Sequence, residues 1–203
     1  MRAKRGCVWA FGGVLVICTV VIAVPQALRM WPKSRTSPVD MYELMLDLSV
    51  LPDGWVMCAG PEPLARRERG ERESMMVWFC PPGFDGVGGT HQEVYRYRNE
   101  FDAAILYNLE FLQREYPKGN MSAPWTVPDH WPYQTLVADR FTFACGEPDL
   151  GMVIRVCTAA AQYGEYISVL VTHPSPDNTT LEDIERLLTA IDERMAEHLE
   201  GAE

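Results

Sequence analysis

The chain has 203 residues, 47% of them apolar and 23% charged, a formal net charge of −10 and a mean hydropathy of −0.12. Such a length fits one main domain, the hydropathy excludes a multispanning membrane protein, and the apolar content excludes a disordered chain. The acidic balance argues against nucleic-acid binding, which needs a basic face to displace counterions from phosphate.

The charge is unevenly placed. Arg2, Lys4, Arg5, Arg29, Lys33 and Arg35 give residues 1–35 a charge of +6 with no acid, whereas residues 36–203 hold all 28 acids and come to −16. Residues 6–28 are uncharged, with a dense apolar run from Val14 to Val24. About 20 apolar residues at ~1.5 Å rise each cross a ~30 Å hydrocarbon layer. The run is also longer than the h-region of a cleaved signal peptide. It reads as an uncleaved single-pass anchor in the lipid bilayer of the cell membrane. A basic tail (1–5) would then be cytoplasmic and the C-terminal domain outside. Cleavage after Val21-Ile22-Ala23 would instead give a secreted protein. Residues 29–40 read as a linker and 41–200 as one extracytoplasmic domain.

In chain order, Met41, Leu44, Met45 and Leu48 have helical spacing, and Leu51-Pro52-Asp53-Gly54 stops that element. Strands are expected at 55–59, 75–80 and 92–98. A helix capped by Asn99 follows, with Phe101, Ile105, Leu109 and Leu112 as its apolar stripe. Residues 117–135, with four prolines, read as a loop. Three more strands are expected at 136–145, 152–160 and 166–172. A closing helix begins with the capping box Thr179-x-x-Glu182, carries the stripe Leu181, Ile184, Leu187, Leu188, Ile191, Met195, and pairs Glu182 with Arg186. The fold class is α+β: a mainly antiparallel sheet of about six strands with two main helices packed on one face.

Cysteine usage agrees with an oxidising compartment. Besides Cys7 and Cys18 in the apolar run, the domain holds Cys58, Cys80, Cys145 and Cys157, which allow three pairings. Cys58 and Cys80 are symmetric about a turn at Arg69, and Cys145 and Cys157 flank the turn-like 146–151, so two local bridges are one solution. One objection stands: alternation puts Cys145 on the face of Phe141 and Phe143 but Cys157 on the face of Arg155.

A β-rich half, a helix entered through Tyr95-x-Tyr97-x-Asn99, a second meander and a C-terminal helix at 181–199 resemble, over residues 51–200, the PsbP-like class. That class includes exported bacterial lipoproteins of the LpqN type. The anchor joined to a cysteine-bearing domain also resembles the extracellular sensor domain of mycobacterial receptor kinases, here without a kinase. The resemblance implies a binding or accessory role.

No P-loop, dinucleotide fingerprint, HExxH, GxSxG or CxxC motif is present, so no catalytic residue and no cofactor is indicated. His91, His130 and His173 could meet as metal ligands only through tertiary structure, and no metal site is assigned to them. The candidate binding face is the aromatic set Phe84, Trp125, His130, Trp131 and Tyr133, since aromatics among prolines make firm apolar walls. The same aromatics could simply cover an open face of the sheet. The expected function is that of a membrane-anchored binding or sensor-type domain rather than an enzyme, recognising a protein or an envelope ligand. The alternatives are an accessory subunit of a membrane complex and an enzyme of unrecognised class.

Overall fold

The computed structural model describes residues 40–64, 70–84, 88–108, 121–148, 154–175 and 179–200. Contacts divide the chain into two units, Met1–Lys33 and Ser34–Glu203. The second is described here; the expected anchor at 6–28 lies outside the described residues. No helix among the described residues is long and apolar enough to cross a membrane.

Seven strands form one antiparallel sheet: β1 (Val56–Pro63), β2 (Glu73–Cys80), β3 (Thr90–Arg96), β4 (Met121–Thr126), β5 (Arg140–Pro148), β6 (Val156–Tyr163) and β7 (Tyr166–Thr172), in the spatial order β1-β2-β3-β7-β6-β5-β4. Helix α1 (Glu100–Leu106) lies in the connection from β3 to the far edge strand β4, and helix α2 (Leu181–Glu200) closes the domain. The chain thus builds one meander inward to β3, crosses over, and builds a second meander back until β7 pairs with β3.

The expected α+β class and antiparallel sheet are present, with one strand more than expected. The addition is β4, placed inside the stretch that reads as a loop. It pairs with β5 through two register shifts, and Pro124 within it supplies no N–H, which is why it has no strand signature. The opposite edge strand, β1, also shows two register shifts against β2 and contains Pro61 and Pro63, with a cis bond between Gly60 and Pro61.

The helices pack on opposite faces, not on one. Strand β6 is buried at all eight positions and β3 and β7 at nearly all, so the central strands need cover on both sides. On the first face, α2 lays Ile184, Leu187, Leu188, Ile191 and Met195 against Val77, Phe79, Val94, Phe143, Ala159 and Leu170. Burying such side chains contributes roughly 1.5–3 kcal/mol each. On the second face, α1 covers Ala160, Ile167 and Val169 with Ala103 and Tyr107, and the Tyr107 hydroxyl donates to the Ala160 carbonyl at 2.9 Å. Phe101 and Ile105, expected on the core stripe, are instead 40% and 39% exposed. The small side chains of β6 admit a helix only through small or flat residues.

Residues 41–48 are not a helix. They form turns bonded three residues apart and lead into a 3-10 turn at Leu48–Val50. Leu44, Met45 and Leu46 are all buried, which no single helical stripe permits. The buried side chain of Gln92 accepts from the Leu46 N–H at 2.7 Å and donates to the Leu44 carbonyl at 3.2 Å, taking up groups a helix would pair internally. Helix α2 holds the same segment from outside: Arg194 donates to the Met45 carbonyl and pairs with Asp47.

Asn99 caps α1 as expected, accepting from the Asp102 N–H at 2.9 Å. The box on α2 sits one residue later than its motif suggests. Thr180 accepts from the Asp183 N–H and Asp183 from the Thr180 N–H, and the carboxylate that pairs with Arg186 is Asp183, at 2.8 Å, not Glu182.

Both local disulfides are present, Cys58–Cys80 and Cys145–Cys157, with Cα separations of 5.9 and 4.0 Å. The register dissolves the objection to the second. Cys145 lies directly opposite Cys157, both in the first-face core with Phe143 and Ala159, and Arg155 falls outside β6, which begins at Val156.

Candidate functional site

The five aromatic and histidine candidates do not form one surface. Trp131 stacks on Phe143 with ring centroids 4.0 Å apart, and Tyr133 meets Phe141 edge-on at 5.3 Å, so both close the first-face core. Tyr133 also donates to Asp192 of α2 at 2.7 Å. Trp125 is half-buried on β4, and His130 is exposed with a left-handed backbone, φ 60°. Phe84 lies elsewhere, edge-on to Trp78 at 6.0 Å, and Trp78 pairs with His91 across the second face.

The first-face cluster is a clamp. The Asp192 carboxylate, 8% exposed, accepts from Tyr163 at 2.6 Å, Tyr133 at 2.7 Å and Thr135 at 2.7 Å. Burial, reinforced by hydrogen bonding to Asp192 and by its negative charge, raises both phenols far above their ordinary range, so each holds its proton and acts as a donor. Three hydroxyl donors on one buried carboxylate tie α2, β6 and the 131–135 segment together. Here Trp131 and Tyr133 are cover, with their polar atoms turned inward.

The second face carries the more reactive set. On β3, His91, Glu93 and Tyr95 alternate onto that face at every second residue, as the strand period requires. The Tyr95 hydroxyl donates to Glu93, fixing a carboxylate that is only 12% exposed. The other carboxylate oxygen stands 3.8 Å from Nε2 of His91. Burial depresses the His91 pKa, with Glu93 opposing that shift and His173 adding to it. His91 is accordingly neutral at neutral pH, with one ring nitrogen to donate and one to accept.

His173 follows β7, two residues beyond Val171, the cross-strand partner of His91. Its Nδ1–H donates to the Gly89 carbonyl at 2.8 Å, which leaves Nε2 as the acceptor in the neutral ring. Gly89 is required here on steric grounds. A Cβ at this position would stand 2.3 Å from the Trp78 indole nitrogen and 2.9 Å from the Phe79 carbonyl. Only a glycine lets the Trp78 ring lie across the backbone beside the two histidines.

Of the three histidines that could have met, the structure brings His91 and His173 to neighbouring cross-strand positions and leaves His130 in the 127–137 loop. No group of three His, Cys, Asp or Glu side chains among the described residues is arranged to hold a metal ion. What remains is a corner of the second face: an aromatic step, Trp78 with Phe84, 38% of Trp78 being exposed, beside two imidazoles and the carboxylate of Glu93. The strand expected at 92–98 puts Glu93 and Tyr95 on one face but stops short of His91, which the observed strand includes. The approach of His173 and Trp78 was not visible in the sequence, because it depends on β3 pairing with a strand about 80 residues away. No family model matches the chain, and neither a curated protein nor a solved structure matches it.

Proposed function

We propose that the chain is an extracytoplasmic binding domain, tethered to the membrane by residues 6–28, that recognises a partner protein or envelope ligand through the Trp78–Phe84–His91–His173 corner. The observation that carries the reading is the exposed Trp78 ring, held over Gly89 beside two imidazoles and edge-on to Phe84. Aromatic side chains supply large contact areas at low entropic cost, and imidazoles add directional hydrogen bonds. The two disulfides support an oxidising location, and the uncharged run at 6–28 supports the tether. The acidic character of the domain works against attachment to anionic lipid, so the tether alone sets its distance from the bilayer.

The test is affinity capture of the detergent-solubilised chain from its native membrane, run in parallel with Trp78→Ala and Trp131→Ala. Loss of the captured partner in Trp78→Ala at an unchanged melting temperature supports the corner. Capture by Trp78→Ala at the wild-type level rejects it. Mass measurement of the native N-terminus tests the tether: a chain beginning at Val24 rejects an uncleaved anchor.

A further inference from the structure

The two disulfides have opposite environments. Cys145 and Cys157 are 2% and 0% exposed and sit inside the first-face core. Cys58 is exposed on the edge strand, bonded to Cys80, which is 1% exposed. At that end β1 is held by the bridge, by the ladder pairs of Val56 with Cys80 and Met57 with Phe79, and by the buried Trp55 just before it. Val56, Met57 and Cys58 are exposed, the ladder to β2 shifts register between Met57 and Ala59 and again before Glu62, and Pro61 and Pro63 have no N–H to give. Gly60, at φ +78°, marks the irregularity; a Cβ there would stand 2.2 Å from the Met76 carbonyl. Beyond the prolines the Leu64 N–H donates to the Ser74 carbonyl at 3.2 Å, so the far end of β1 is fastened independently.

We propose that Cys58–Cys80 is a site of reversible reduction by a dithiol reductant, and that its opening unlatches the Val56–Cys58 end of β1 from β2. In the exchange, one thiolate of the dithiol attacks the accessible Cys58 sulfur, and the Cys80 sulfur leaves with the bonding pair and takes up a proton. The second thiol then attacks the mixed disulfide and frees the Cys58 thiol. Two electrons and two protons have passed to the protein, and the reductant has become a disulfide. Cys145–Cys157 offers no sulfur to an attacking thiolate while the core is folded. The unlatched end uncovers the outer side of β2 next to Trp78, so the redox state of this bridge alters the same corner of the molecule.

The experiment treats the folded, detergent-solubilised full-length chain with dithiothreitol without denaturant, followed by pulsed alkylation with peptide mass spectrometry and by amide hydrogen exchange. The expected result is alkylation of Cys58 and Cys80 at least about tenfold faster than of Cys145 and Cys157, with faster exchange in Val56–Cys58 and none in β5, β6 or β7. Opening of both bridges together, in step with unfolding, overturns the proposal, as does earlier labelling of Cys145 and Cys157. Selective labelling with β1 exchange unchanged overturns the latch. Combined Cys58→Ser and Cys80→Ser substitution should reproduce the exchange pattern of the reduced form, and oxidised-like exchange in that variant overturns the latch as well.

Discussion

The two faces of the sheet solve the same covering problem with different means. The first face is sealed by the 20-residue α2, by the 41–51 segment threaded through Gln92, and by Trp131 and Tyr133. Its tyrosine and threonine hydroxyls converge on one carboxylate in the Asp192 clamp. The second face is covered by the short α1 over β6 and β7, and beyond that helix Trp78, His91 and His173 keep polar or aromatic surface available. An aromatic residue near prolines therefore says little about binding until one knows whether its polar atom has been spent. Tyr133 has given its hydroxyl to α2, whereas the imidazoles on the second face retain bonding capacity.

The sharpest way to break this contrast is to attack the clamp. Asp192→Ala removes the acceptor shared by the Tyr163, Tyr133 and Thr135 hydroxyls, leaving the buried Tyr163 hydroxyl without it, and should cost about 3–5 kcal/mol, read by urea denaturation, with binding at the corner retained in whatever fraction stays folded. Trp131→Ala removes the ring stacked on Phe143 and should cost about 3 kcal/mol, without touching partner capture. A milder probe, Tyr163→Phe, deletes one of the three donors and should cost about 1 kcal/mol. Trp78→Ala on the other face should move the melting temperature least and binding most. If Trp78→Ala unfolds the protein while Trp131→Ala leaves it intact, the roles of the two faces are exchanged.

Acid distinguishes the faces as well. The His91 pKa is depressed in the folded state, so below the ordinary imidazole value the unfolded chain binds a proton that the folded chain resists. Stability contributed by the neutral ring is present above a pH of about 6.5 and is lost as pH falls from there toward the folded value. His91→Gln should flatten that limb of a stability–pH curve. A second loss belongs to the first-face segment. The Ser49 hydrogen bond, with help from Arg194, lowers Asp47 to about 2, so its contribution disappears as pH falls from 3.8 to that value. Asp47→Asn should remove the lower limb and leave the upper one.

Much of the architecture follows from local pattern. Strand β7 and helix α2 are legible because Tyr166–Thr172 is a short apolar run between turn signals and because Ile184, Leu187, Leu188 and Ile191 recur at helical intervals. Where the reading fails, a distant group has taken over. The spacing of Met41, Leu44, Met45 and Leu48 is helical, yet Gln92 claims the Leu44 and Leu46 backbone and leaves Leu48 exposed. The outward turn of Phe101 and Ile105 reflects the alanine-lined surface of β6, which no local window around the helix reveals. Two helices on one face suited a sheet with one wet side, but β3, β6 and β7 are apolar or tightly paired on both. As for the site, Phe84 was among the aromatic candidates and His91 and His173 among the histidines that could meet only through tertiary structure, while Trp78 was not singled out and its approach to them follows from strand pairing.

A sheet ends in two raw edges, and each is a template on which a neighbouring copy can grow a strand. In this chain the edge strands β1 and β4 are irregular in register and carry Pro61, Pro63 and Pro124, which deny a newcomer the regular row of amide donors it would need. This termination lets neighbouring copies be crowded without polymerising. The protection is unequal. On the β4 side it is built into the last strand alone, but on the β1 side it is fastened partly by one exposed sulfur, behind which lies β2, a strand with no proline. The chemistry of the surroundings therefore governs how many neighbours this molecule can safely have.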